Sequence, residues 1–240
     1  MRILNILFFS LLFFANIIFA EPIYHDKKYP EGKGPFPAVI YLHTSGGYKG
    51  IPPKLDYLIK NGYAIYGPNF FARHKLSNKN RFETWTTFRL PIEKELTEIL
   101  ELMRKDPKID SKNIFATGYS NGGYWASYLA ATKQVNAGVS NYGVWNFPGY
   151  NGYPLKYFNK DSNPVLALHG MKETVQTYER VKDKIMFAQK ESSKVEVHYY
   201  PDAGHSWDWN SPKNKKDGYS QEVELDAQQR LLTFFKKNKK

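Results

Sequence analysis

With 240 residues, of which 42% are hydrophobic, the chain suits one domain with a proper core, and a disordered or fibrous protein is excluded. It contains no cysteine, which excludes disulfides, cysteine-ligated metal sites and a cysteine nucleophile. The formal net charge is +11, but the basic residues are scattered apart from residues 213–216 and 236–240, so we expect no nucleic-acid partner.

The first twenty residues are predicted to be a signal peptide. Arg2 supplies a positive charge, residues 3–19 are mostly apolar, and Ala20 precedes the polar pair Glu21 and Pro22, as at a cleavage site. We expect export to the periplasm or the medium, with no stable membrane insertion after cleavage. An uncleaved anchor is the alternative, because the stretch is about the shortest that could span a bilayer.

Residues 21–240 are predicted to form one domain in which short apolar strands alternate with amphipathic helices. The predicted strands cover residues 38–42, 63–67, 114–118, 137–142, 165–169 and 195–200, and the predicted helices cover 52–61, 91–105, 122–131, 177–190 and 221–236. Residues 72–87 are predicted to be a polar connection that leads into the helix at 91–105. This alternation indicates an α/β protein with a mostly parallel sheet and helices on both faces. In such sheets the chemistry lies just beyond the carboxyl ends of the strands.

A serine motif follows the predicted strand at 114–118. Gly118-Tyr119-Ser120-Asn121-Gly122 matches G-x-S-x-G, with a strand before it and a helix of small residues after it. In a nucleophile elbow of this kind Cβ atoms at the two glycine positions would collide, and the turn exposes the serine hydroxyl. The N–H of Asn121 would then point at a developing oxyanion. A plain strand-to-helix turn is the alternative.

A second donor for that oxyanion is expected in the loop after the strand at 38–42. The loop reads His43-Thr44-Ser45-Gly46-Gly47, and the backbone N–H of Ser45 or Thr44 would donate. We interpret His43 as a structural residue that orients the loop without titrating in the reaction, although its position also makes it a substrate-pocket candidate.

One of the six histidines is placed to act as a base. His25 and His74 are predicted to lie in polar loops, His198 lies inside a strand, and His43 and His169 end strands near the site. His205 is on a loop after a late strand, next to a glycine that lets it turn. It would take the Ser120 proton and return it to the leaving group.

The carboxylate partner of His205 is predicted to be Glu173, which follows the strand at 165–169 and gives the chain order serine, acid, histidine. Asp202 is close to His205 in sequence but too close to face its Nδ1, and Asp161 and Asp208 are further alternatives. No histidine and carboxylate pair has ligand spacing on one helix, so we expect no metal site and no cofactor.

Between residues 34 and 235 the chain resembles the dienelactone hydrolase family of α/β-hydrolases. The resemblance is carried by residues 35–43, 62–64, 118–123, 140–143, 164–170, 200–207 and 230–235, which read PFPAVIYLH, GYA, GYSNGG, SNYG, PVLALHG, YPDAGHSW and RLLTFF. It implies the α/β-hydrolase fold and hydrolysis of a small-molecule ester or lactone through a covalent acyl-enzyme, without a cofactor.

The family's nucleophile, base and acid map onto Ser120, His205 and Glu173. Three departures accompany the resemblance. The founding activity uses cysteine where this chain has Ser120, which points away from dienelactone itself. The acid of the family is usually aspartate, where this chain has Glu173. The family is usually cytoplasmic, whereas this chain is expected to be exported.

Aromatic residues on the loops that follow the strands could line an acyl or aryl pocket, and core or lid packing is the alternative for each of them. They are Trp145, Phe147, Tyr150, Tyr153, Trp207 and Trp209. Tyr119, directly before Ser120, is a further pocket candidate. Two other functions stay open. A peptidase is one, because prolyl-oligopeptidase-like catalytic domains share the elbow and the order of the triad. A catalytically inactive binding protein on the same fold is the other.

Overall fold

The computed structural model describes residues 23–145, 157–210 and 218–240. The predicted signal peptide at residues 1–20 lies outside the described residues, as do three of the pocket candidates, Phe147, Tyr150 and Tyr153.

The described chain forms a seven-stranded sheet with five α-helices around it. The strands are β1 (His25–Lys28), β2 (Phe36–Leu42), β3 (Ala64–Pro68), β4 (Ile109–Tyr119), β5 (Gly138–Asn141), β6 (Val165–Gly170) and β7 (Val195–Tyr200). The helices are α1 (Asp56–Lys60), α2 (Arg89–Lys105), α3 (Asn121–Ala131), α4 (Tyr178–Glu191) and α5 (Gln221–Lys237). The strand order is β1-β3-β2-β4-β5-β6-β7, and every neighbouring pair is parallel except β1 with β3. The predicted α/β class with a mostly parallel sheet is therefore confirmed.

Two hydrophobic clusters lie on opposite faces of this sheet. Along β2, Ala38 and Ile40 belong to one cluster, whereas Val39 and Tyr41 belong to the other, as the twofold alternation of a strand requires. Helices α2, α3 and α4 cover the first face, and α1 and α5 cover the second.

Helix α2 buries the face that its spacing predicts. Leu96, Ile99, Leu100 and Met103 have no exposed surface, because positions three and four apart lie on one side of a helix. None of the helices in the described ranges combines the length and the apolar character needed to cross a bilayer.

The segment predicted as a helix at 52–61 divides into a 3₁₀ turn, Pro53–Leu55, and helix α1. It ends where predicted, at Gly62, whose φ is +81°. The N–H of Gly62 donates to the carbonyl of Ile59 at 3.0 Å, and that of Tyr63 donates to the carbonyl of Leu58 at 2.9 Å. These two bonds form a Schellman motif, in which a left-handed glycine satisfies the last carbonyls of the helix.

The sequence prediction was wrong about structure in two segments. His25 lies in β1 instead of a polar loop, and this polar strand pairs with β3 at the edge of the sheet as far as the structure describes it. The polar stretch at 72–87 contains two 3₁₀ helices, Ala72–His74 and Arg81–Trp85. Thr84 and Trp85 are buried, so this segment packs against the body of the protein.

Candidate active site

The residues singled out by the sequence follow neighbouring strands at one edge of the sheet. Ser120 follows β4, Glu173 follows β6 and His205 follows β7, while Ser45 follows β2, on the other side of β4. Because these strands are parallel, their carboxyl ends meet at the same edge. The fold therefore gathers the predicted nucleophile, base, acid and oxyanion loop around the end of β5.

Ser120 occupies a strained turn between β4 and α3. Its φ and ψ are +52° and −112°, a combination that costs a non-glycine residue of order 1–3 kcal/mol and persists only where the surroundings enforce it. The N–H of Ser120 donates to the carbonyl of Asn141 at 3.0 Å, and its carbonyl accepts from Gly123 at 3.0 Å and from Val144 at 3.2 Å. The Ser120 backbone is thus held by β5 and the segment after it.

The two glycines of the motif are required by close backbone approach. A Cβ on Gly118 would collide with the carbonyl oxygen of Gly122, and a Cβ on Gly122 would collide with the carbonyl oxygens of Leu42 and His43. The start of α3 therefore packs directly against the end of β2. This contact brings the loop after β2 beside the nucleophile.

Asn121 and Ser45, two of the residues predicted to supply oxyanion donors, lie side by side. Asn121 is the first residue of α3, so its N–H has no acceptor within the helix. Its side-chain Nδ2 lies 3.4 Å from the Ser45 Oγ and 3.4 Å from the Thr84 Oγ1. The carbonyl of Thr44 accepts from Gly47 at 3.1 Å, which closes the loop as a tight turn. Thr84 had no sequence signal, since it lies in the stretch predicted as a polar connection.

His205 and Glu173 form a hydrogen-bonded pair. The Nδ1 of His205 lies 2.7 Å from the Oε2 of Glu173, whose side chain has no exposed surface. The other oxygen, Oε1, accepts from the N–H of Val175 at 2.7 Å and of Gln176 at 3.0 Å. An ionised carboxylate only accepts, so Nδ1 carries a proton, and in the neutral ring this tautomer leaves the lone pair on Nε2.

The surroundings of Glu173 favour its ionised form. Burial opposes ionisation, but the hydrogen bond and charge of His205 and the N–H groups of Gln176 and Val175 outweigh it and hold the pKa of Glu173 below its usual value. The carboxylate is thus available to stabilise an imidazolium at neutral pH.

A second histidine, His169, bonds to the turn that holds the Glu173 carboxylate. His169 is fully buried, and its Nε2 donates to the carbonyl of Gln176 at 2.7 Å. Burial lowers the pKa of His169, so the ring stays neutral while it braces the turn whose N–H groups hold Glu173. The sequence placed His169 near the site but gave it no role.

The other acids considered from the sequence are engaged elsewhere. Asp202 is exposed and accepts from the Nζ of Lys172 at 2.6 Å. Asp208 accepts from the hydroxyl of Tyr142 at 2.6 Å. Asp161 lies in an exposed turn, where its N–H donates to Asn159 at 2.9 Å.

His43 is a buried residue of the loop after β2. It is 1% exposed, its Nδ1 lies 2.8 Å from the carbonyl of Thr44, and its ring stacks on Phe70 with centroids 4.0 Å apart. Burial lowers the pKa of His43 to about 4, against the raising effect of the bond to Thr44. A neutral ring in these contacts fits the structural role that the sequence suggests.

The aromatic pocket candidates lie on both faces of the sheet. Tyr119 and Trp207 are 6% and 1% exposed and belong to the cluster that α5 covers. Trp145 is 1% exposed and belongs to the other cluster, and its backbone N–H donates to the side-chain oxygen of Gln176 at 3.3 Å. Trp209, by contrast, is 62% exposed. Among residues 23–145, 157–210 and 218–240, no group of three or more histidine or carboxylate side chains is arranged to hold a metal ion.

Residues 27–239 match the model of the dienelactone hydrolase family. A Yersinia pestis protein provisionally assigned as a carboxymethylenebutenolidase is 26% identical over 215 residues, which are 84% of this chain and 78% of that protein. A crystal structure from Klebsiella pneumoniae, provisionally named a dienelactone hydrolase, has a TM-score of 0.66 at 20% identity and covers 89% of this chain and 98% of its own. An acylaminoacyl peptidase of Pyrococcus horikoshii has a TM-score of 0.65 at 18% identity over 91% of this chain but only 40% of the peptidase. These structures share the α/β-hydrolase fold with this chain.

Proposed function

Because the chain belongs to the dienelactone hydrolase family, we propose that it hydrolyses carboxylic esters or lactones through an acyl-enzyme on Ser120. His205 is the general base and Glu173 the acid that orients it. The observation that carries the proposal is the arrangement around β5: a strained serine turn follows β4, and a hydrogen-bonded carboxylate and histidine follow β6 and β7 at the same end of the sheet.

In the first half-reaction, the Oγ of Ser120 attacks the carbonyl carbon and its proton passes to the Nε2 of His205. The tetrahedral intermediate then collapses, and the leaving alkoxide takes that proton from Nε2. Throughout, Nδ1–H stays bonded to Glu173, so the imidazolium forms beside a buried negative charge.

In the second half-reaction, a water molecule gives its proton to the Nε2 of His205 and attacks the acyl carbon. The carbon–Oγ bond breaks, Ser120 regains a proton from His205, and the carboxylic acid leaves. A lactone follows the same steps, except that its alcohol stays attached to the acyl chain.

The negative charge on the carbonyl oxygen is held by backbone N–H groups. We assign the N–H of Asn121 as one donor and that of Ser45 or Thr44 as the other. The support is the 3.4 Å approach of the Asn121 and Ser45 side chains, which brings the loop after β2 beside the start of α3. Preorganised donors of this kind are worth about 10²–10³-fold in kcat each.

The first experiment is to label the purified protein with a fluorophosphonate and to measure turnover of p-nitrophenyl esters. We expect labelling and turnover in the wild type, and loss of both in Ser120→Ala and His205→Ala. Ser193→Ala is the matched control, because Ser193 is exposed and lies on the connection between α4 and β7. A folded wild-type protein that neither labels nor turns over would favour the inactive binding protein.

A peptidase is the second candidate, because the peptidase from Pyrococcus horikoshii has the same fold over 91% of this chain. An ester and an amide with the same acyl group separate the two functions. We expect the ester to be cleaved and the anilide to be resistant at equal enzyme concentration. Faster cleavage of a peptide anilide would favour the peptidase.

We also propose that the protein is exported with removal of residues 1–20. The support is the positive, then apolar, then small-residue order of this segment. Mass spectrometry of the protein from periplasm or medium should give an N-terminus at Glu21. An intact Met1 in the membrane fraction would favour the uncleaved anchor.

A further inference from the structure

The loop that carries His205 is attached to the rest of the protein at a second point, three residues beyond the histidine. Asp208 is 8% exposed, forms an ion pair with Lys54 and accepts a hydrogen bond from the Tyr142 hydroxyl at 2.6 Å. Burial and the charge of Asp208 raise the pKa of Tyr142, so this hydroxyl stays protonated and donates.

Tyr142 connects this attachment to the imidazole of His205. Its ring centroid lies 4.8 Å from that of His205, at an angle of 63°, and 4.8 Å from that of Trp207, at 87°. Both are edge-to-face contacts, a geometry that fixes the relative orientation of the two rings. The backbone of Tyr142 has a positive φ of +36°, so it is held in a conformation that a tyrosine does not prefer.

Lys54 extends the connection to the nucleophile elbow. Its Nζ lies 4.1 Å from the centroid of the Tyr119 ring, and Tyr119 directly precedes Ser120. The side chains of Lys54 and Asp208 are 25% and 5% exposed. The Lys54–Asp208 pair therefore joins the nucleophile elbow to the loop that carries His205, which we call the base loop. An ion pair that is largely withdrawn from solvent is weak evidence for stability, because apolar residues of similar volume stabilise a fold as well or better. The presence of the Lys54–Asp208 pair at this point therefore needs an explanation other than stability.

We propose that Tyr142, Asp208 and Lys54 are positioning residues that hold the imidazole of His205 in register with Ser120. The proposal rests on the function proposed above. None of the three takes part in bond making; they act through the ring of Tyr142 and through the attachment of the base loop. The hydrogen bond to Glu173 fixes the position of Nδ1, and the edge-to-face contact with Tyr142 fixes the rotation of the imidazole plane about that bond.

The test compares kcat and KM of Tyr142→Phe and Lys54→Met with those of the wild type. Tyr142→Phe keeps the ring and removes its bond to Asp208, while Lys54→Met keeps the chain and removes its charge. We expect kcat to fall about tenfold in each, since small misplacements of catalytic groups are costly, with KM within about twofold. Lys54→Arg restores the charge and should recover most of the lost kcat.

The matched control is Lys172→Met. Lys172 pairs at 2.6 Å with Asp202, which lies on the loop that carries His205, but both side chains are exposed. We expect kcat and KM of this variant to equal those of the wild type. Wild-type kcat in both Tyr142→Phe and Lys54→Met would overturn the proposal, whether or not their melting temperatures fall. Failure of Lys54→Arg to restore kcat would also overturn it.

A measurement that does not need turnover separates this proposal from the proposed function. The Nδ1–H of His205 should give a downfield proton resonance in nuclear magnetic resonance spectra, because it is bonded to Glu173 at 2.7 Å. We expect the resonance to broaden in Lys54→Met and to stay sharp in Lys172→Met. Should the wild type hydrolyse no ester, the proposed function fails while this comparison still decides the positioning role. An unchanged resonance in Lys54→Met would overturn that role.

Discussion

At the scale of single residues, the site depends on how closely backbone segments approach. Ser120 adopts a strained backbone because the start of α3 lies directly on the end of β2. No side chain fits between these segments at Gly122, where a Cβ would meet the carbonyl oxygens of Leu42 and His43. The strain at the nucleophile is therefore maintained by main-chain packing on both sides of the turn.

Gly122→Ala should destabilise the protein by more than about 4 kcal/mol, because either β2 or α3 must move to accommodate the methyl group. Urea unfolding measures this loss. Gly46→Ala is the control: the nearest atom to its added Cβ is the Thr44 Oγ1 at 3.3 Å, and we expect a loss within about 1 kcal/mol. Equal stabilities of the two variants would contradict the packing described here.

Glu173→Gln tests the polarity of the hydrogen bond to His205. A glutamine that offers its NH₂ group to Nδ1 stabilises the wrong tautomer, with the proton on Nε2. We expect kcat/KM to fall by roughly 10³–10⁴-fold while the unfolding transition stays cooperative. Glu173→Asp keeps the charge but shortens the arm, so it should retain more activity than Glu173→Gln. The reverse order would remove Glu173 from the triad.

At the scale of elements, helix α2 shows how one face of a helix anchors the sheet. Leu100 has no exposed surface, whereas Leu102 is 44% exposed in the same helix. Leu100→Ala should cost about 2–5 kcal/mol through lost burial and a cavity, and Leu102→Ala less than about 1 kcal/mol. Denaturant titration of both variants measures the difference, and equal losses would place α2 in another orientation.

The elements with strong apolar periodicity could be predicted from the sequence, and those without it could not. Strand β7 has its predicted bounds, and α3 begins one residue earlier than predicted. Strand β1 was missed because an edge strand of four polar and charged residues has no alternation to detect. The turn at Arg81–Trp85 was missed because polar residues dominate the stretch around its buried Thr84 and Trp85.

For the site, the chain order and the strand ends sufficed to select Ser120, Glu173 and His205 as candidates. The roles of these three residues stay predictions until the variants above are measured. His169 and Tyr142 are different, because the bond of His169 depends on how the turn after β6 folds back, and the contact of Tyr142 depends on ring packing against a loop distant in sequence. Their distances to Gln176 and His205 follow only from the three-dimensional arrangement.

At the scale of the whole molecule, two buried histidines couple the site to acid stability. His43 begins the loop after β2, and His169 is bonded to the turn that holds Glu173. Burial lowers the pKa of each histidine. Since the unfolded chain binds protons that the folded protein excludes, stability falls as the pH falls below the unfolded pKa. For His43 the window runs from its ordinary value of 6.5 down to about 4.

His43→Gln isolates this effect. Between pH 7.5 and pH 5 the wild type should lose about 2 kcal/mol more unfolding free energy than the variant, because a pKa shift of one unit corresponds to about 1.4 kcal/mol. Urea unfolding at both pH values measures the difference. Glu173 does not interfere between pH 7.5 and pH 5. Its pKa is lowered from 4.5, so the stability that it contributes is present above pH 4.5 and is lost only at lower pH. A parallel pH dependence of wild type and His43→Gln would mean that His43 is protonated in the folded protein, and the stacking on Phe70 would then hold a charged ring.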